Sequence, residues 1–176
     1  MSLLNPANPQ PDGGCEVLLS ELAQLLLARG WMMCTAESCT GGLIAATCTE
    51  LPGSSRWFER GVVTYSNTAK SELLDVPLAC IAQHGAVSEP VARAMAEGAA
   101  RRAGVEVAVS VTGIAGPDGG SALKPVGTVW MAWHVAGRTE AQCQVFAGSR
   151  QHVRQQAVVD VLEQLRERLA AQPAPQ

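Results

Sequence analysis

The stretch "WMMCTAESCTGGLIAATCTEL", residues 31–51, decides the class of fold. Its opening "WMMCTA" reads as a short buried strand, and "GGLIAATCTEL" reads as a helix that ends near Pro52-Gly53. Between them stand Glu37, Ser38, Cys39 and Thr40, directly before Gly41 and Gly42. Four reactive or hydrogen-bonding side chains in a row are poor core material and suit a loop that touches a ligand. A strand that runs through such a loop into a helix is the repeating unit of α/β proteins.

The flanks extend that reading. Upstream, "CEVLLSELAQLLLARG" puts Leu18, Leu22, Leu25 and Leu26 on one helical face, with Gly30 placed as a C-cap. Downstream, "RGVVTYS" is strand-like, and Asn67 is placed to cap a short helix, "TAKSELLD". No element is assigned to residues 76–87. Ser88 and Pro90 open the helix "EPVARAMAEGAARRAG", and "VEVAVSVTG" alternates as a strand. After a Gly/Pro-rich loop over residues 113–127, "TVWMAWHVAG" and "TEAQCQVFAG" form a hairpin around Gly137-Arg138. A long amphipathic helix, "RQHVRQQAVVDVLEQLRERLAA", ends the pattern. The expected order is α-β-α-β-α-α-β-β-β-α, a mixed sheet with helices on both faces. The expected organisation is one domain over residues 15–171, with flexible tails at 1–14 and 172–176.

Composition limits the function classes. Of 176 residues, 47% are hydrophobic and only 16% charged, enough to build a core and too little charge for disorder. So little charge leaves a surface that a homo-oligomer would hide. A net charge of −3 and no basic stripe argue against nucleic acid as a partner. No apolar run reaches a membrane span, so no membrane partner is expected. The six cysteines include no CxxC pair, and no signal peptide precedes them, so reduced thiols and a cytoplasmic location are expected.

Four groups of residues could carry chemistry. Ser38, at a strand-to-helix turn, stands where free N–H groups and a helix dipole can hold an anion or an oxyanion, and Gly41 and Gly42 allow close approach to the backbone. Ser38 or Thr40 could equally be a plain N-cap. Cys39 is the rival nucleophile, but neighbours in a turn point in different directions, so both cannot face one substrate. The second group, "TYSNTAK", joins the only tyrosine, Tyr65, to Lys70, one of two lysines, and with just three histidines a lysine base is a real option. Third, "VTGIAGPDGG" runs a strand into a backbone-lined loop where ligands of open α/β sheets bind, or makes a long surface turn. Fourth, "GSRQHVR" places Arg150, His152 and Arg154 near a helix start capped by Ser149, where cations oppose the dipole unless an anion sits there. No His/Cys/Asp/Glu set has zinc spacing, so no metal is expected.

Taken together, "TAESCTGG", "GSSRWFERGVVTYSNTAK", "HGAVSEPVA", "SVTGIAGPDGGSALKPVGTVW" and the SR-x-x-VR helix resemble the CinA C-terminal domain family, from about residue 16 to residue 170. The resemblance implies a three-layer α/β/α sandwich with a mixed, mostly parallel sheet. It implies nicotinamide-nucleotide amidohydrolase activity, the hydrolysis of the carboxamide of nicotinamide mononucleotide (NMN) to nicotinic acid mononucleotide and ammonia, without a cofactor. It makes Ser38 the nucleophile, with Tyr65 and Lys70 assisting. Thr112, in "VTG", and Arg150 fall where the family places further active-site residues. In the mechanism that fits both readings, Lys70 or Tyr65 takes the Ser38 proton and N–H groups from Thr40 to Gly42 hold the oxyanion. The loop from Gly113 to residue 120 walls the ribose or ring, and Arg150 or a helix N-terminus holds the phosphate. Glu37 and Thr40 position substrate or brace the loop. The alternative function is a non-catalytic nucleotide-binding or interaction module.

Overall fold

The computed structural model describes residues 13–173. Its elements run α1 (Gly13–Arg29), β1 (Met33–Glu37), α2 (Leu43–Glu50), a single 3-10 turn (Ser54–Arg56), β2 (Phe58–Val63), α3 (Asn67–Leu74), α4 (Leu78–His84), α5 (Glu89–Ala103), β3 (Val107–Gly113), β4 (Thr128–Val135), β5 (Arg138–Val145) and α6 (Arg150–Ala170). The expected tails at 1–14 and 172–176 lie largely outside the described residues. Gly13 and Gly14 already belong to α1, and Gln172 is tied back by its carbonyl oxygen, which accepts from Arg29 at 3.2 Å.

The five strands form one mixed sheet in the order β2-β1-β3-β4-β5. β1 pairs in parallel with β2 and β3, and β3-β4 and β4-β5 are antiparallel. Strands β2, β1, β3 and β5 therefore point one way, with β4 alone reversed. Helices cover both faces. Val107, Val109 and Val111 of β3 pack with Leu22 and Leu26 of α1, Ile44 of α2 and Leu162 of α6. The residues between them are small and face the other way: Ala108 joins Met95 and Ala99 of α5, and Ser110 donates to Ala92 O at 2.6 Å. Small residues on that face let α5 lie close to the sheet. Burying each leucine contributes about 1.5–3 kcal/mol. On the second layer, a Cβ at Gly98 would stand 1.9 Å from Leu74 O, so only glycine lets α5 close on α3.

Four local expectations are corrected. α4 was not expected; it is seven residues long with Ile81 as its buried residue, too short to show a helical period. β2 lies earlier than "RGVVTYS", because Ser66 leaves the strand to cap α3, accepting from Ala69 N at 3.0 Å. Ser66, not Asn67, is thus the cap, and Lys70 is the fourth helical residue. The hairpin turns on Ala136-Gly137, both at positive φ (47° and 84°), which suits a two-residue turn whose twist matches the strands.

The connections at the carboxyl ends of β1 and β2 leave to opposite faces: α2 joins the α1/α6 layer, whereas α3 joins the α5 layer. Such a reversal opens a crevice beyond the strand ends. Ser38 follows β1, and Tyr65 and Lys70 follow β2, so the chain delivers them to one crevice.

Candidate active site

Ser38 continues the line of β1: its N–H donates to Val111 O at 2.9 Å. Strand alternation turns its side chain to the face of Ala36, under α3. There the Lys70 amine meets it. Nζ donates to Ser38 Oγ at 3.1 Å and to Thr64 O at 2.7 Å. Lys70 is 1% exposed and Ser38 9%. Burial pushes the Lys70 pKa down, because a buried ammonium loses its hydration. A Cys39 thiolate would oppose that shift, but burial drives the Cys39 thiol up to about 11, so it stays neutral. Alternation also separates the two candidate side chains: Cys39 faces the opposite layer and packs into the α1/α6 core.

Glu37 is wholly buried. Its carboxylate accepts from the backbone N–H groups of Gly42 (2.9 Å), Ile44 (3.1 Å) and Ala45 (2.9 Å), and from Thr35 Oγ1 (3.1 Å). It thus braces the start of α2 from below, a cap from five residues upstream of Gly42. Glu37→Ala would strand three N–H donors, that of Ile44 buried and those of Gly42 and Ala45 partly buried. The expected cost is roughly 3 kcal/mol or more, a fall in Tm of about 6–12 °C in a thermal melt.

The N–H groups expected to hold an oxyanion are redistributed. Gly41 N–H is taken by Ser38 O at 3.1 Å and Gly42 N–H by Glu37. Those of Cys39 and Thr40 have no partner among the described residues. The hydroxyls of Thr40 and Thr64, wholly buried, also lack one among those residues.

Tyr65 is 61% exposed and touches neither Ser38 nor Lys70 by hydrogen bond; its hydroxyl accepts from Arg150 Nη2 at 2.7 Å. Arg150 Nη1 donates to Gly116 O at 2.8 Å, so one guanidinium links the β2 exit to the glycine loop. Lys124 pins the far end of that loop, donating to Val87 O at 2.7 Å and His84 O at 3.2 Å. Thr112 is buried, its Oγ1 donating to Ala86 O at 2.9 Å. A Cβ on Gly113 would fall 2.8 Å from Val129 and 2.9 Å from Thr128 O, so this residue holds the loop's root against β4. Ser149 caps α6, as expected, accepting from His152 N at 3.4 Å.

The sequence did not single out Thr64, whose carbonyl holds Lys70. Main-chain atoms leave no residue-type signal. All six cysteines are free. No helix among the described residues is long and apolar enough to cross a membrane, and none of their His, Cys, Asp and Glu side chains group as a metal site. The arrangement can deliver a serine oxygen to a planar acyl group, with a desolvated amine to take its proton.

The CinA C-terminal domain family matches residues 16–169. The nicotinamide-nucleotide amidohydrolase PncC of Enterobacter agglomerans is 56% identical over 144 residues, 81% of this chain and 88% of that protein. Its namesake in Escherichia coli is 53% identical over 151 residues, covering 84% and 90% of the two chains. Among solved structures, the competence damage-inducible protein A (ComA) of Klebsiella pneumoniae subsp. pneumoniae superposes with a TM-score of 0.87 at 42% identity, covering 90% of this chain and 99% of that one.

Proposed function

The chain belongs to the CinA C-terminal domain family, and from that premise we propose that it hydrolyses the carboxamide of NMN through an acyl-enzyme on Ser38, with Lys70 as the general base. The observation that carries the chemistry is the buried Lys70 Nζ, 3.1 Å from Ser38 Oγ. The names of the two amidohydrolase relatives support the substrate.

Ser38 Oγ attacks the amide carbon as its proton passes to Lys70 Nζ. The carbonyl oxygen takes on negative charge and is met by the free N–H groups of Cys39 and Thr40. Lys70 returns the proton to the departing nitrogen, and ammonia leaves. A water then attacks the ester, again through Lys70, and frees the acid and Ser38. Tyr65, bound to Arg150 and open to solvent, lines the mouth of the crevice. Arg150 offers its charge to the phosphate. The guanidiniums of Arg154 and Arg150 both pull against the upward shift of Cys39, so two permanent cations converge on this turn while its carboxylate, Glu37, is enclosed by backbone donors. An anionic substrate suits that field.

The test is ammonia and nicotinic acid mononucleotide release from NMN. Turnover is expected to survive EDTA, since Ser38 and Lys70 supply nucleophile and base. Free nicotinamide, without the phosphate that orients the amide, is expected to react at least about 100-fold more slowly. Binding of NMN without ammonia release, or equal turnover of nicotinamide, would overturn the proposal.

A further inference from the structure

α6 opens with Arg150 and carries Arg154 one turn later, on the same side of the helix. Arg150 reaches the mouth of the crevice. Arg154 reaches the nucleophile turn itself: Nη2 donates to Thr40 O at 2.8 Å, across 114 residues of chain. That oxygen also accepts from Leu43 N at 3.3 Å. A Cβ on Gly41 would lie 3.5 Å from Nη2, so the guanidinium rests on the backbone of the turn. Arg154 Nε is buried and has no partner among the described residues.

The turn needs such a clamp. Gly41 and Gly42 both sit at positive φ (61° and 95°), and on the Gly41 side no Cβ resists rotation of the peptide plane between Thr40 and Gly41. Rotation of that plane would release Thr40 O from Leu43 and Gly41 N–H from Ser38 O, and loosen the segment that presents Ser38. We infer that Arg154 is a positioning residue for acyl transfer: by holding Thr40 O it keeps Ser38 against Lys70 and the N–H groups of Cys39 and Thr40 free for the oxyanion. The inference rests on Ser38 being the nucleophile.

Two readouts test it on the full chain. One is kcat and KM for NMN; the other is the rate at which a fluorophosphonate labels Ser38, a P–O bond forming as fluoride leaves and the serine proton is removed. The second needs no assumption about the natural substrate. If wild type is labelled at Ser38 but releases no ammonia from NMN, the substrate reading fails and labelling alone decides the role of Arg154. If wild type is neither labelled nor active, Ser38 is not the nucleophile and both readings fall.

Arg154→Ala is expected to lower kcat and the labelling rate about 30–100-fold, with KM changed less than about threefold, as a misplaced catalytic group would. Guanidinium chloride well below denaturing concentrations should restore at least about tenfold, because a free guanidinium can bind the vacated carbonyl. A purely structural role would lower Tm without this kcat-only loss and without rescue. If Arg154→Ala does not fold, Arg154→Lys decides: it keeps the charge but not the planar donor, and is expected to fold and lose at least about fivefold in kcat and labelling. Wild-type kcat and labelling in a folded variant, a loss confined to KM, or no rescue overturns the inference.

Discussion

Ser38→Ala is expected to abolish release of ammonia from NMN, a loss of at least about 10⁴-fold in kcat, with Tm close to wild type. The size of the loss follows from the chemistry: without Oγ no acyl-enzyme forms, and water would have to attack an unactivated amide directly. The fold should survive because Ser38 is held by its main chain, N–H to Val111 O, and among the described residues its hydroxyl hydrogen-bonds with the Lys70 amine alone, which keeps Thr64 O. Cys39→Ala is the matched control one residue away. It removes a thiol in the α1/α6 core that burial holds at about 11, protonated at neutral pH and facing away from Lys70. It is expected to keep kcat within about threefold at a modest loss of stability, below the cost of emptying a larger core side chain. Dead, folded Cys39 variants beside an active Ser38→Ala would assign the nucleophile to the thiol.

Lys70→Arg is expected to lose about 10³-fold or more in kcat while NMN still binds in a direct titration. Arginine keeps a positive charge but does not give up its proton in the working range. Lys70→Met, of similar length and uncharged, should be equally inactive, which separates proton transfer from electrostatic anchoring. Wild-type kcat in Lys70→Arg would make Lys70 an anchor and send the search for the base to Tyr65. The pH dependence follows from the direction of the shift. Burial favours the neutral amine, so Lys70 titrates below the roughly 10.4 of a free lysine. The base is the deprotonated form, so kcat/KM should rise with pH and level off above the depressed pKa, before a free lysine would. Cys39→Ala should leave that limb in place, since the thiol is neutral throughout. The sign for stability is the same. A lysine that titrates lower in the folded than in the unfolded chain makes the unfolded state bind more protons, so its burden on the fold is largest at low pH and fades as pH rises toward the unfolded value. Lys70→Met removes that burden, so its inactivity should not come with a collapse of the low-pH melt.

The residues themselves carried much of this picture. Val105 to Val111 alternate over a strand, the leucines of α1 recur at helical spacing, and "TAESCTGG" joins a buried strand to a helix; these are local periods and local punctuation, and they survive in any environment. They placed Ser38 at a strand-to-helix turn and Lys70 early in a helix, and required Ser38 and Cys39 to face different ways.

What lay beyond them is non-local. That Ser38 and Lys70 touch depends on β2 pairing beside β1 while α2 and α3 leave on opposite faces, contacts that no window of sequence contains. Glu37 carries no mark of a buried brace, since its partners are main-chain N–H groups that every residue possesses. α4 forms without a readable period, held by Ile81 against its neighbours. Side-chain spacing reports which face of an element is apolar; which element covers that face, and which backbone groups remain free once it does, is decided only when the layers close.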